Sequence, residues 1–560
     1  MKSSDLPQLR SAPHDRLVFL PLGGTGEIGM NLNVYGYQGK FLIVDMGVTF
    51  GDETIPGVDV VMPDHLFLEE QADNLLGIVI THAHEDHIGA LAYLWPDLRC
   101  PVYCSPFAAA FLETKLKEER LDGDVPVHVV QQGGRVTLGP FEIEFVPVTH
   151  SIPEANMLAI RTDLGTIVHT GDWKIDPEPV VGRFMDLDRL RAIGNEGVLA
   201  CISDSTNVLN PGHSGSEGAV RESLINVIGQ YKGRIAVSCF ASNVARLDSL
   251  IHAARKNGRE VCLVGRSLWR IVDVCHQVGL LENCGRLLEA EQAADLPDSR
   301  VMYICTGSQG EARAALARIA WGSHPYVKLG KGDVCLFSSR VIPGNEKSIF
   351  KLQNQLVLNG VEVVTDREKF IHVSGHPAKE EVAELYGLLR PKMVVPVHGE
   401  ARHLQEHADF ALTLGAEDAL VIADGEVVEL APHGPRVVAT ANIGRLTIEG
   451  ERIVPLDSPV LRDRKKMTIN GSAVVTLVLD HGGRVLGEPL VTTHGLLVPE
   501  TEDGEEVDLG GLVQDAVERM DRRARGSDDD VREVVRRVIR RVFHNDQGRK
   551  PVTDVHLVRL

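Results

Sequence analysis

The chain has 560 residues, of which 43% are hydrophobic and 24% charged, with a net charge of −20. That length requires several folded units rather than one core, and the composition is ordinary for a globular protein. No apolar run reaches the roughly 18 residues of a membrane span, and the polar stretch Met1–Arg16 lacks a signal-peptide core, so no membrane partner is expected. The acidic balance argues mildly against nucleic acid. A whole-chain sum does not describe one cleft, however, and bound divalent ions add strong local positive charge. Nine cysteines in apolar surroundings, such as Val261-Cys262-Leu263, read as buried reduced thiols of a cytoplasmic protein. Cys100 and Cys104 lie close, but no second pair follows to complete a zinc ribbon.

The first informative element is the apolar stretch Leu75–Ile80, predicted as a strand and followed by Thr81-His82-Ala83-His84-Glu85-Asp86-His87. Four metal-ligand side chains fall within six positions there. Residues two apart in an extended segment share a face, so His82 and His84 can aim at one ion while Asp86 and His87, further round the turn, reach a second. Imidazole and carboxylate are the ligand set of a hydrolytic Zn or Mn site.

Further strands run into single ligands. Phe141–Val148 leads to Thr149-His150-Ser151, and Gly165–Thr170 leads to Gly171-Asp172-Trp173. Met393–Val397 leads to His398-Gly399-Glu400. Strand ends are where a layered α/β fold displays its chemistry, so these pieces converge on a dinuclear site. Between Asp172 and His398 lie about two hundred residues, far more than a loop, with predicted strands at Arg234–Ser238 and Val334–Ser338 and a helix over Asn243–Lys256. A folded insertion is expected. Its segment Ser238–Asn243 places small polar residues, Ser242 and Asn243, at a helix start, an anion-binding arrangement that also reads as an ordinary cap. His372-Val373-Ser374-Gly375-His376 offers hydroxyl, imidazole and backbone donors.

After about residue 450, Ala473–Leu479 is predicted as a strand and Leu496–Val498 as a shorter one. Val531, Val534, Val535, Val538 and Val542 recur at helical spacing behind Gly526–Asp530, an acidic helix start. Arg532, Arg536, Arg537, Arg540 and Arg541 flank that stripe, most simply as a solvated face.

Val44-Asp45-Met46-Gly47, the His82–His87 run, His150 and Thr170-Gly171-Asp172 resemble the ordered motifs of the metallo-β-lactamase fold. The resemblance implies an αββα sandwich with metals at the rim between two sheets. It implies one ion held by His82, His84 and His150, a second by Asp86, His87 and His398, and Asp172 bridging both. Asp45 would orient ligands without binding metal. Ser203-Asp204-Ser205-Thr206-Asn207, Ser374-Gly375-His376-Pro377 and Pro396-Val397-His398-Gly399-Glu400 resemble the A, B and C motifs of the β-CASP nucleases, and a histidine in the third is typical of members acting on RNA.

The fold class implied is α/β: a sandwich over 1–207, a β-CASP insertion over 208–372, the returning sandwich over 373–449, and a small C-terminal α/β domain over 450–560. The implied activity is a metal-dependent ribonuclease of RNA maturation and decay, exonucleolytic from 5′ to 3′ on 5′-monophosphorylated RNA and also endonucleolytic. His376 would protonate the leaving 3′ oxygen with Asp204 holding its tautomer, and Ser242, Asn243, His372, Ser374, Gly375 and His376 would surround the nucleotide and its phosphates. The expected cofactors are two divalent ions, Zn or Mn. The expected partners are single-stranded RNA, a second copy or a tetramer of the chain, and other RNA-decay proteins. Two other classes share the site: a small-molecule hydrolase of thioesterase or lactamase type, and a non-catalytic scaffold. The first has no need of a large insertion carrying its own His376, and the second usually loses ligands that are all present here.

Overall fold

Short apolar runs bounded by glycines and polar turns fold as strands, and their alternation decides which layer each side chain joins. In a computed structural model describing residues 6–52 and 54–560, Phe141, Ile143 and Phe145 face one side of the strand Phe141–Pro147 while Val146 faces the other. Met1–Asp5, at the start of the expected first domain, lie outside the described residues. The first side belongs to a core shared with Leu17, Phe19, Tyr35, Leu42, Val44 and Val79 of a second sheet. The other packs under Leu190, Ile193, Val382, Leu385 and Leu389 of two helices, Leu187–Glu196 and Lys379–Leu389. Each fully buried Leu or Phe in these layers contributes about 1.5–3 kcal/mol relative to exposure.

The two facing sheets have eight and seven strands. In the seven-stranded sheet, Ala200–Asp204 pairs in parallel with Met393–Val397, Asp204 opposite Val397, although the whole insertion lies between them in sequence. The insertion forms its own six-stranded sheet with parallel pairing throughout. Its helix Val244–Lys256 starts at Asn243, whose side-chain oxygen accepts from the Arg246 N–H at 2.8 Å.

Toward the C-terminus, Ser472–Leu479 alternates between buried and half-buried positions and lies between Leu490–His494 and Val552–Arg559. The helix Asp528–Gln547 begins at Ser527 and buries Val531, Val535, Ile539 and Phe543, a four-residue spacing that leaves Val534, Val538 and Val542 at the edges of the stripe. Leu496–Val498 is not a strand: the pairing segment is Leu490–His494, just before it, where β-branched Val491, Thr492 and Thr493 meet Ser472–Thr476. Leu496 and Val498 instead pack onto the core as loop residues.

The described residues form two compact units, one up to Thr49 with Met62–Gly444 and the other of Phe50–Val61 with Arg445–Leu560. The assignment of 50–61 to the second unit differs from the expected boundaries. The Thr447 hydroxyl donates to the Val60 carbonyl at 2.7 Å, a contact between residues nearly 400 apart that no local pattern announces. Among the described residues no helix is long and apolar enough to cross a membrane, and all nine cysteines are buried and unpaired.

Candidate metal centre and hydrolytic site

Each proposed ligand sits just beyond the C-terminal end of a strand. The strand Leu75–Val79 delivers His82 and His84 from an extended segment and Asp86 and His87 from the short helix Glu85–Ile88. Gly47 makes room for that turn, since a Cβ there would lie 1.7 Å from the Asp86 carbonyl oxygen. Asp45 and His398 hold φ of +64° and +52°, sparsely populated for residues with side chains and retained where the surroundings over-determine them.

The side chains converge on two clusters that share one carboxylate. Ligand atoms of His82, His84, His150 and Asp172 all lie within 4.8 Å of one another, as do those of Asp86, His87, Asp172 and His398. In the first, His84 Nδ1 is 3.1 Å from His82 Nε2 and 3.0 Å from His150 Nε2, and Asp172 Oδ2 is 3.6 and 3.7 Å from the same two Nε2 atoms. In the second, Asp172 Oδ1 is 3.3 Å from His87 Nε2 and 3.6 Å from His398 Nε2. Bonds of about 2.0–2.1 Å in a tetrahedron put neighbouring ligands about 3.3 Å apart, so both clusters have the dimensions of a divalent-ion cage. Asp172 Oδ1 and His398 Nε2 are buried without hydrogen-bond partners, which is costly for polar atoms unless an ion satisfies them. The residues therefore fit the metal that the fold implies.

The surroundings set the tautomers. Asp45, fully buried, reaches neither cluster. It accepts hydrogen bonds from the Thr81 N–H and hydroxyl, both at 2.8 Å, and from His87 Nδ1–H at 2.7 Å. Thr81 Oγ1, donating to Asp45, accepts from His82 Nδ1 at 3.0 Å. His150 Nδ1–H donates to the Gly375 carbonyl at 2.6 Å, since a carbonyl can only accept. Each arrangement turns Nε2 toward its cluster. Burial, followed by the neighbouring His87, lowers His82 well below the usual histidine range, and burial lowers His84 to about 4, so both rings are neutral. Burial opposes the charge on His87, but Asp172, Asp86 and Asp45 together outweigh it and raise that ring well above the ordinary value.

Beside the clusters, His376 Nδ1–H donates to Asp204 Oδ2 at 2.8 Å and lies 3.9 Å from Asp172 Oδ2. Burial lowers His376, and the Asp204 and Asp172 carboxylates overcome this and raise it to about 9, keeping the ring protonated at neutral pH with Nε2–H free of that pair. Ser374 Oγ accepts from the His376 N–H at 3.1 Å.

Several residues that sequence reasoning did not single out hold this site together. Asn31 Nδ2 donates to the Asp86 carbonyl at 3.0 Å and lies 3.1 Å from His398 Nδ1. Glu381, wholly buried, accepts from Ile175 N, Ser214 N, the Ser214 hydroxyl and Ala378 N at 2.7–3.0 Å, tying the Asp172 loop, the start of the insertion and the end of motif B together. A glutamate three residues into a helix start was the one local sign of it. Arg246 is also wholly buried and pairs with Glu217 at 2.9 Å. It donates to Ser338, to the Ile371 carbonyl at 3.0 Å and to His372 Nδ1 at 3.1 Å. A guanidinium only donates, so it fixes His372 with its proton on Nε2. This links the helix start at Ser242 and Asn243 to the His372–His376 segment. The Asn243 oxygen is engaged as the helix cap, leaving its amide nitrogen and Ser242 as the donors of that turn. In the C-terminal helix, Arg532 and Arg537 pair with Asp529 and Glu533, and Arg536 and Arg540 donate to the carbonyls of Thr553 and Pro551.

Together the sandwich, the inserted parallel sheet and the shared-carboxylate cage define a metal-dependent hydrolase of the metallo-β-lactamase fold with a β-CASP insertion. Residues 55–221 match the family described as "Beta-lactamase superfamily domain", 232–356 "Ribonuclease J, beta-CASP domain", 360–420 "Zn-dependent metallo-hydrolase RNA specificity domain" and 459–560 "Ribonuclease J C-terminal domain". The chain is 46% identical to Ribonuclease J of Sinorhizobium meliloti over 98% of both chains. It is 37% identical to Ribonuclease J of Corynebacterium glutamicum over 98% of this chain and 76% of that one. It is 36% identical to Ribonuclease J 1 of Streptococcus pyogenes over 85% and 86%. A crystal structure of a protein of unknown function from Enterococcus faecalis aligns with a TM-score of 0.51 at 15% identity, covering 74% of this chain and all of that one, which speaks to the fold alone. The chain belongs to the ribonuclease J family and is an RNA-binding, metal-dependent ribonuclease.

Proposed function

We propose that the chain cleaves RNA with two divalent ions, working exonucleolytically from a 5′-monophosphorylated end toward the 3′ end and also cutting internally. The observation that carries this reading is the single carboxylate, Asp172, whose two oxygens face two separate cages beside the hydrogen-bonded pair of His376 and Asp204. His82, His84 and His150 would hold one ion, Asp86, His87 and His398 the other, and Asp172 both; a set without cysteine suits Zn and Mn alike. When bound, the ions supply charge neutralisation on the phosphate and acidify a water. His376 gives its Nε2 proton to the leaving 3′ oxygen as the phosphorus–oxygen bond breaks, and Asp204 holds the ring by Nδ1 and offsets its charge. Asp45, Thr81 and the Gly375 carbonyl accept from Nδ1 of His87, His82 and His150 and so turn Nε2 of each ring toward its cage.

Ser242, Asn243, His372, Ser374 and the Gly375 and His376 backbone form the phosphate-binding wall, with His372 presenting Nε2–H. Buried, unpaired thiols support a cytoplasmic setting. The C-terminal unit is assigned to self-association into a dimer or tetramer, and other RNA-decay proteins are the further partners. A lactamase or thioesterase reading does not account for the His376–Asp204 pair contributed where the insertion leaves and rejoins the sandwich. Digestion of one RNA carrying a 5′ monophosphate or a 5′ triphosphate, labelled at either end, tests the polarity. Faster loss of the monophosphorylated form with mononucleotides released from the 5′ end is expected. Equal rates, or release from the 3′ end, would refute it.

A further inference from the structure

Arg340 lies in the loop after the strand Val334–Phe337, at the carboxyl edge of the insertion's parallel sheet, where ligands of such sheets bind. The loop is pinned: Gln309 donates to the Arg340 carbonyl at 2.9 Å and accepts from the Ile342 N–H at 2.9 Å. The exposed guanidinium donates to Asn207 Oδ1 at 2.7 Å, and Asn207 Nδ2 donates to the His376 carbonyl at 3.2 Å. Burial, and after it the charges of Arg246, Arg340 and Lys174, hold the His372 ring well below the ordinary histidine range. Arg246 is neutralised by buried Glu217 at 2.9 Å and Lys174 by buried Asp176 at 3.0 Å. Among the described residues Arg340 has no carboxylate partner, only the neutral Asn207 carboxamide. In a chain of net charge −20, a pre-positioned, unneutralised guanidinium bonded to Asn207 of motif A, which in turn holds the His376 carbonyl, is arranged for a visiting anion.

We propose that Arg340 binds a phosphate of the RNA substrate at the mouth of the site, as a specificity-determining cation outside the recognised motifs. The proposal rests on the reading of His372 and its neighbours as the phosphate-binding wall. A guanidinium offers paired donors that match phosphate oxygens, and one edge of it remains after the bond to Asn207. The phosphate is either the 5′-terminal monoester or an internal diester, and the same chemistry serves both.

The test is equilibrium binding of a single-stranded RNA with phosphorothioate linkages, bearing a 5′ monophosphate or a 5′ hydroxyl, to metal-loaded protein over a salt series. Arg340→Gln, which can still donate to Asn207 but carries no charge, should weaken binding about 10-fold, the cost of a charged hydrogen bond. It should also reduce the slope of log affinity against log salt by about 0.7, one phosphate contact on a single strand. Arg340→Lys should restore most of both. A loss confined to the monophosphate RNA assigns the terminal phosphate, and an equal loss on both RNAs assigns an internal one. An unchanged slope in Arg340→Gln, or the same loss reproduced by Asn207→Ala with the slope intact, would overturn the proposal and leave Arg340 a support for Asn207. His372→Ala, measured alongside, tests the phosphate-binding wall separately: a failure to weaken monophosphate binding sinks that reading, while Arg340 stands or falls on its own slope.

Discussion

Replacing Asp45 by asparagine removes one function and little else. The residue sits at φ +64°, a conformation asparagine tolerates as well as aspartate, so the backbone is not strained by the change. Asn Oδ1 can still accept from the Thr81 N–H. The nitrogen that takes the place of Oδ2 cannot accept from the Thr81 hydroxyl or from His87 Nδ1–H, which approach that oxygen at 2.8 and 2.7 Å. Facing a donor, the His87 ring moves its proton to Nε2, the atom 3.3 Å from Asp172 Oδ1, and the lone pair meant for the ion is lost. Losing one charge-assisted hydrogen bond costs about 1.5–3 kcal/mol. That corresponds to a fall of roughly 10–100-fold in metal affinity, the range seen when partners of metal ligands are removed. The loss should fall mainly on the cage of Asp86, His87 and His398. Elemental analysis after dialysis against graded chelator measures both ions directly, and circular dichroism checks the fold. Wild-type affinity at both cages in Asp45→Asn would refute the argument that Asp45 orients His87.

Asp172→Ala should lower the occupancy of both cages and abolish RNA hydrolysis; retention of either, measured by metal content and end-labelled digestion, would count against a shared carboxylate. His376→Ala should keep both ions and lose rate by about 10²–10⁴-fold, the contribution of a positioned proton donor, so a loss of metal would instead make it a ligand. Gly47→Ala should prevent the turn at Asp86 from closing, because the added carbon would meet a backbone oxygen at 1.7 Å, and a soluble, metal-replete variant would contradict that packing. Removing Arg445–Leu560 should yield a smaller assembly by light scattering and also leave Phe50–Val61 without the residues they pack with, lowering the melting temperature; an unchanged oligomer would place the interface elsewhere.

The residues that converge on the two clusters were legible because each follows an apolar strand in a short run, and His82–His87 is dense enough to be read alone. What was not legible depends on contacts between distant parts of the chain. Asn31 lies just before the strand Leu32–Tyr37 with no motif around it, and only the fold brings it between Asp86 and His398. Arg246 sits in a helix whose cations look solvated, yet it is wholly buried because Glu217 from another helix neutralises it. Arg340 follows a strand like the ligands do, but a single arginine has no spacing to betray it. The Leu490–His494 strand was missed for a simpler reason. Its alternating positions are half-exposed, so its β-branched residues carry less apolar signal than the leucines that follow.

The bond from His150 to the Gly375 carbonyl has a consequence for how the protein is made. His150 takes its orientation from a backbone atom more than two hundred residues later, and the second cluster lacks His398 until after that. A ribosome partway through the message therefore holds a chain with most of the cage and no complete site. The two clusters come together only with the strand Met393–Val397 beside Ala200–Asp204, a pairing that the whole insertion precedes in synthesis. On the ligand set proposed above, the order of synthesis would delay hydrolytic competence until most of the chain has been made.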